Sequence, residues 1–384
     1  PEMGQVVAIS IPAAVASDDA SNVNLASNQF SVLAGSPQYE FEQRKSEVRR
    51  IIRDQIGARL VGRLNRNQQM MTESRHAGIT AIANGSNSCQ PRSLTERITP
   101  QGYASKGSRG TQINANIDST SDFCNGVNWR ISGNLSVIDG PNQNDSKEYD
   151  LRLSREQLLA ENHLLGFFLA VDSASATLTD TFTGEQDGKG VTLGGYWLSR
   201  VAEQLYLDGF VAATRERNKL SLRTALQNDH QLQLGSQFYA DSWQSGLGIT
   251  GVVEYQALQL RPNLSLAYGA TRLGEIDFTA DAYGLRDLVS LDAGVVEAAI
   301  AKLTPELLFT LPATDLKQST TLSLAPSALC QHRSSQADSS QCGFGLGFGL
   351  SRSGRDGHLA LKIDYEKVDD IQRVSSQISY TLNF

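Results

Sequence analysis

Residues Val374 to Phe384 read V-S-S-Q-I-S-Y-T-L-N-F. In an extended backbone Val374, Ser376, Ile378, Tyr380, Leu382 and Phe384 share one face, while Ser375, Gln377, Ser379, Thr381 and Asn383 share the other. One face is largely apolar and the other wholly polar. A strand this long that ends on an aromatic residue suits a sheet with lipid outside and water within, where backbone groups must all pair inside the sheet. Alternation alone would also fit a half-buried strand of a soluble sandwich, so the preceding segments decide. His358 to Glu366 places Leu359, Leu361, Ile363 and Tyr365 on one face and Ala360, Lys362, Asp364 and Glu366 on the other. Those charges would be costly in a dry core and cost little facing a wet lumen. Cys342 to Leu350 alternates Phe344, Leu346, Phe348 and Leu350 with Gly343, Gly345, Gly347 and Gly349, which leaves one face without side chains and predicts close packing there. The fold class these patterns predict is an all-β membrane barrel.

Working back along the chain, the same pattern predicts antiparallel strands near 372–384, 357–367, 342–352, 305–330, 287–301, 258–278, 231–256, 205–223, 190–201, 163–179, 146–157 and 126–138, about twelve in all. Two more, near Ile98 to Gly110 and Gln112 to Ile117, would make fourteen and keep the parity. Tight turns at Ser353 to Asp356, Ala202 to Gln204 and Leu158 to Asn162 alternate with longer polar loops at Asp180 to Lys189 and Gln331 to Gln341. Barrels show this asymmetry, with short periplasmic turns and longer loops outside. Tyr196, Trp197, Tyr206, Tyr255, Tyr365, Tyr380 and Phe384 fall near strand ends, as interfacial girdles require.

Ahead of the barrel, Gln38 to Arg66 contains no proline and spaces Val48, Ile52, Ile56, Leu60 and Leu64 four apart, which predicts a helix. Its cations Arg44, Lys45, Arg49, Arg50, Arg53, Arg59, Arg63 and Arg66 outnumber its acids Glu40, Glu42, Glu47 and Asp54, in a chain whose net charge is −7. At about 1.5 Å per residue this rod is long enough to cross a hydrocarbon core of about 30 Å. The cations surround the axis, which disfavours a helix lying on a membrane surface. A place in the lumen would let Arg49, Arg50, Arg53 and Arg59 meet inward acids such as Asp364 and Glu366, and let the helix backbone approach Gly343, Gly345 and Gly347. A periplasmic coiled coil is the alternative. The chain therefore divides into a tail or passenger remnant at 1–37, a helix at 38–66, a linker or extra strands at 67–125, and a barrel at 126–384.

The acidic balance argues against nucleic acid as a partner. Four cysteines fall in two local pairs, Cys89 with Cys124 and Cys330 with Cys342. The second pair brackets a polar loop, and a bridge there would staple it in an oxidising compartment. Neither pair has short metal-ligand spacing, and no cofactor motif is present. G-x-S-x-G, H-E-x-x-H and the P-loop are all missing, so no enzyme is expected.

Several segments, taken in order, resemble the translocator domain of autotransporters, the type V secreted proteins of Gram-negative bacteria. Tyr149-Asp150-Leu151-Arg152-Leu153 followed by His163 to Ala170 resembles the family's early strand pair, and Gly194-Gly195-Tyr196-Trp197 followed by Leu205 to Gly209 resembles its next. Leu260 to Tyr268 and Ile378 to Phe384 continue the likeness, which covers roughly 146–384 with the helix in the expected place. The resemblance implies a twelve-stranded barrel in the cell outer membrane, among outer-membrane lipid and lipopolysaccharide. It implies insertion by the barrel assembly machinery, which would read the terminal strand through Tyr380, Leu382 and Phe384, and a helix crossing the pore to a passenger outside. Some relatives cut their passenger at an asparagine pair. Here Asn65 and Asn67 flank Arg66, and no such site carries over. Two functions follow: a translocator and anchor that exports or displays its N-terminal segment, or a stand-alone barrel serving as a channel or as the anchor of a separate surface protein. A soluble sandwich or solenoid adhesin is disfavoured by Lys362, Asp364 and Glu366.

Overall fold

The computed structural model describes residues 6–9, 30–33, 35–84, 97–107, 110–120, 127–139, 145–160, 162–311, 319–334, 338–354, 357–368 and 371–382. Strands β1 (Val6–Ile9) and β2 (Phe30–Leu33) pair with each other and precede the long helix α1 (Pro37–Asn84). Then follow β3 (Arg97–Gly107), β4 (Gly110–Thr120), β5 (Val127–Asp139), β6 (Ser146–Ala160), β7 (His163–Thr179), β8 (Thr183–Ala202), β9 (Leu205–Ala225) and β10 (Gln231–Gly251). The short β11 (Val253–Tyr255) leads into β12 (Leu258–Ala282), β13 (Leu285–Leu311), β14 (Ser319–Ser334), β15 (Asp338–Gly354), β16 (Gly357–Val368) and β17 (Ile371–Leu382). Neighbours pair antiparallel, β17 pairs with β3, and β10 pairs with β12, so the sheet closes on itself. With β11 confined to a small hairpin against β12, fourteen long strands among the described residues form the ring. Fourteen is the count the sequence left open beside twelve, and β3 and β4 supply the difference. Closure leaves no strand edge to be satisfied by lipid.

Several boundaries differ from the sequence expectation. The segment 305–330 is not one strand: β13 runs through Pro305 to Leu311, and β14 starts afresh at Ser319. Proline cannot donate to the ladder, and the β13–β14 register is interrupted between Leu303 and Leu307, opposite Pro326. The polar stretch Asp180 to Lys189, expected as a loop, is mostly strand, because β8 begins at Thr183. Its charges at Glu185, Asp187 and Lys189 all lie on the exposed face and alternate with buried Gln186, Gly188 and Gly190.

Along β9 and β10 the in–out alternation breaks only at buried Gly209, yet the chemistry of the two faces exchanges midway. On β9 the exposed side runs from Val211 and Ala213 to Arg215, Arg217, Lys219 and Arg223, while the buried side runs from Asp208, Phe210, Ala212, Thr214, Glu216 and Asn218 to Leu220 and Leu222. On β10 exposed Ile249, Leu247 and Trp243 give way to Gln237, Gln233 and Gln231 as buried Gln244 and Ser242 give way to Phe238, Leu234 and Leu232. Apolar outside with polar inside marks a lipid-facing band; polar outside with apolar inside marks a collar standing in water. The strands are long enough for both, since β9 has 21 residues and β13 has 27, against the roughly 9–11 a membrane-spanning strand needs. The collar lies at the end of the barrel formed by the β7–β8, β9–β10 and β12–β13 turns, opposite the end that holds Leu382.

Helix α1 has 48 residues, about 72 Å at about 1.5 Å per residue, so it runs the length of the barrel. Ser36 caps it, its hydroxyl accepting the Tyr39 amide at 3.2 Å, and Pro37 occupies the first turn, where its missing N–H costs nothing. The helix continues past Arg66 because Asn67, Met70, Met71, Ser74, Arg75, Ile79 and Ile82 keep the three-and-four spacing of buried positions. Among the described residues no helix is long and apolar enough to cross a membrane by itself, which says nothing of the strands.

Candidate functional site: the occupied lumen

The helix meets the barrel wall in two chemically different zones. In the collar, Phe41, Val48, Ile51, Ile52 and Ile56 pack into one apolar cluster with Leu220, Leu234, Phe238, Phe278 and Leu291. Phe41 and Phe278 rings lie 5.7 Å apart. The entry is fixed by polar contacts: the Gln38 amide donates to Asp287 at 3.1 Å, and the Tyr283 hydroxyl donates to Glu40 at 2.7 Å.

Within the band the helix carries buried cations, each answered by the wall. Arg59 pairs with Glu216 and donates to Asn218 at 2.8 Å. Arg63 reaches Glu216 at 2.6 Å and Asp172 at 2.7 Å, and Arg66 reaches Glu148 at 2.7 Å. Arg75 grips Asp208 with two bonds, at 2.7 and 2.9 Å, in the fork geometry that suits guanidinium to carboxylate. Asn67 donates to Gln244 and accepts from Arg152, while Ser74, Tyr196 and Asn128 all donate to Glu156. Glycines on the wall make room for this layer. A Cβ at Gly188 would collide with Arg59 and Glu216, and one at Gly190 would crowd Asp172 and Arg63.

The helix cations expected to face the wall therefore divide. Arg59 is buried in the band. Arg49 and Arg53 instead donate to the backbone carbonyls of Asp292 and Ala293, and Arg50 pairs with Glu47 and Asp180 at the half-exposed rim. Asp364 and Glu366 are not their partners: Asp364 sits 3.3 Å from Lys362, and Glu366 sits 3.5 Å from Lys302. Nor does the helix backbone approach the glycine strand. The space beside Gly345 is taken by Ser327, that beside Gly347 by Asp364 and Ala325, and that beside Gly343 by the β16 backbone. The acids that do pair with the helix arginines, Glu148, Asp172, Asp208 and Glu216, carry one readable signal: each lies in the inward phase of its strand.

Cys330 and Cys342 form a disulfide, as expected. It joins directly opposed residues of β14 and β15 rather than the rim of a loop, because pairing continues to Ser334 and Asp338. Cys89, Cys124 and Phe384 lie outside the described residues. Tyr380 and Leu382 belong to β17, paired with Leu359 and Gly357 of β16. Of the aromatic residues assigned to girdles, Trp197 and Tyr255 face outward, whereas Tyr196 and Tyr206 are buried inside. Among the described residues no cluster of ligating side chains could hold a metal ion.

A closed antiparallel barrel with an apolar outer band and a polar, occupied lumen is an outer-membrane β-barrel. Residues 139–295 match the family model of the autotransporter beta-domain. Among solved structures, the CymD monoaromatic hydrocarbon channel is 11% identical, with a TM-score of 0.50, over 75% of this chain and 88% of that one. The likeness concerns the barrel fold alone. The beta domain of the Bordetella autotransporter BrkA is 15% identical over 76% of this chain and 100% of its own, with a TM-score of 0.47. The translocator domain of NalP from Neisseria meningitidis is 11% identical over 83% and 97%, with a TM-score of 0.41. No curated protein sequence matches this chain.

Proposed function

We propose that the barrel displays the residues preceding α1 at the cell surface, and that α1, having crossed the pore, stays to close it. The direction of the helix carries this reading. Its first turn is tied to Asp287 and Tyr283 at the collar end, whereas Gly78 packs on Leu164 and Leu198 toward the end that holds Leu382. With the terminal strand ending on the periplasmic side, the N-terminal segment emerges outside. A small tag placed before Pro1 and probed by protease on intact cells should be cleaved while a periplasmic control survives. A protected tag would refute display and favour a stand-alone barrel. That second reading draws on the strand count, fourteen where the resemblance implies twelve.

Insertion by the barrel assembly machinery belongs to the same proposal. Replacing Tyr380 or Phe384 with a polar residue should lower the amount of barrel assembled in the outer membrane; unchanged assembly would remove the terminal strand as the recognition signal. No catalytic step is assigned to the barrel.

A further inference from the structure

The cations of the helix inside the band are met by carboxylates, but a second set of cations on the outer wall is not. Lys189 on β8 and Arg217 and Lys219 on β9 are exposed and have no ionic partner among the described residues. Lys189 and Arg217 are directly opposed in register, and Lys219 lies two residues further along β9 on the same face. Arg215 belongs to the same surface; it is 3.8 Å from Asp241 and lies over the Tyr239 ring at 5.0 Å. Asp187 and Glu185 are the other acids on this face of β8, and Asp187 is opposed to Lys219. Just toward the band, the exposed residues become Val191, Leu193 and Val211. The free cations thus stand one step beyond the edge of the lipid-facing surface, on the collar side. Exposed like charges on neighbouring strands destabilise a sheet when they face water alone.

We propose that this face of β8 and β9 holds the phosphorylated sugar headgroup of an outer-leaflet glycolipid, lipopolysaccharide, with its acyl chains lying over Val191, Leu193 and Val211. The assignment rests on the surface-display reading, which puts the collar outside. Charge complementarity selects the occupant. A headgroup with two phosphates supplies the anions that Lys189, Arg217 and Lys219 lack, and its chains continue the contact the band already makes. Adjacent strands at about 4.8 Å and alternate residues at about 7 Å spread the cations across a headgroup rather than around one small anion. Basic residues at a membrane surface each favour anionic lipid appreciably, and the proximity of Asp187 disfavours singly charged headgroups.

The test uses the purified full chain in detergent, presented with bis-phosphorylated lipid A, the same lipid A after enzymatic dephosphorylation, and phosphatidylglycerol, with bound lipid read by native mass spectrometry. The wild-type protein should retain the phosphorylated form at least about tenfold over the other two. The combined variant Lys189→Gln, Arg217→Gln, Lys219→Gln should lose that preference while still showing the heat-dependent gel shift of a folded barrel. Equal retention of both lipid A forms, or an undiminished preference in the folded variant, would overturn the proposal. Equal retention of phosphatidylglycerol would overturn it in favour of an unselective anionic face. The comparison of lipids on the wild-type protein stands even where the variant does not fold. Lipid retention in detergent does not depend on where the N-terminal tag lies, so this proposal and surface display fail separately.

Discussion

The band and the collar are built from the same strands around the same helix, yet they invert each other. In the band, Leu193, Val211 and Leu247 point outward while Arg59, Arg63 and Arg75 pair inside with Glu216, Asp172 and Asp208. In the collar, Arg217, Lys219 and Gln233 point outward while Phe238, Leu234 and Leu291 close on Phe41 and Ile52. The solvent outside sets the difference. Lipid accepts only apolar side chains, so the band's polar residues are turned inward and must satisfy one another there. The collar stands in water and follows the rule of soluble cores, with apolar area removed from water as its main stabilisation. One plug is thus held in two ways: near its entry by an apolar grip, and in the band by ion pairs that fix its rotation and height beside a second apolar cluster of Leu60, Leu64, Met70, Met71, Ile79 and Ile82 against Leu164, Phe168, Leu198 and Phe210.

Substitutions can separate the two. The largest effect is expected for Glu216→Ala, which strips Arg59 of its carboxylate and Arg63 of one of two, at a cost of roughly 3–5 kcal/mol for a broken buried pair. Ion conductance of the purified barrel in planar bilayers should rise and α1 should become cleavable by protease; an unchanged, protected helix would show that the pairs do not hold the plug. Ile52→Ala opens a cavity in the collar worth roughly 2–5 kcal/mol. Hydrogen exchange should then quicken at 41–56 and not at 59–75, and a uniform increase would mean the two zones act as one. Reversing the rim charges, with Arg49, Arg50 and Arg53 all changed to Glu, should raise conductance less than Glu216→Ala does, because Arg50 is partly exposed and Arg49 and Arg53 donate to backbone carbonyls, contacts worth about 1 kcal/mol each. A rise equal to that of Glu216→Ala would move the decisive contacts to the rim.

The smallest effect belongs to the collar entry. Burial, and then the hydrogen bond to Glu40, push the Tyr283 hydroxyl up from 10.0 to about 12. A raised value means the folded state holds this proton more tightly, so the contribution is complete below pH 10 and is lost as pH rises through about 12. Exchange protection of the first helical turn should fall across that window in the wild type and lose that pH dependence in Tyr283→Phe.

Much of the molecule was legible in the residues alone. The alternation of Ile378, Tyr380 and Leu382 with Gln377, Ser379 and Thr381, and the charges at Lys362, Asp364 and Glu366 opposite Leu361 and Ile363, require a closed sheet with lipid outside. The four-residue spacing of Val48, Ile52, Ile56, Leu60 and Leu64, with cations on every side, requires a helix whose whole circumference is answered. These are local properties, dictated by the period of the backbone and the solvent each face can tolerate. Which acid answers which arginine is not local. Glu216 meets Arg59 and Arg63, and Asp364 meets neither, because the height and rotation of the helix against the wall follow from the register of all fourteen strands and from ring closure between β10 and β12. The exchange of faces at Ala213 and Arg215 was written in the sequence as a change of phase, but only the assembled barrel shows that neighbouring strands change together. A membrane boundary is a property of the whole ring and not of any one strand.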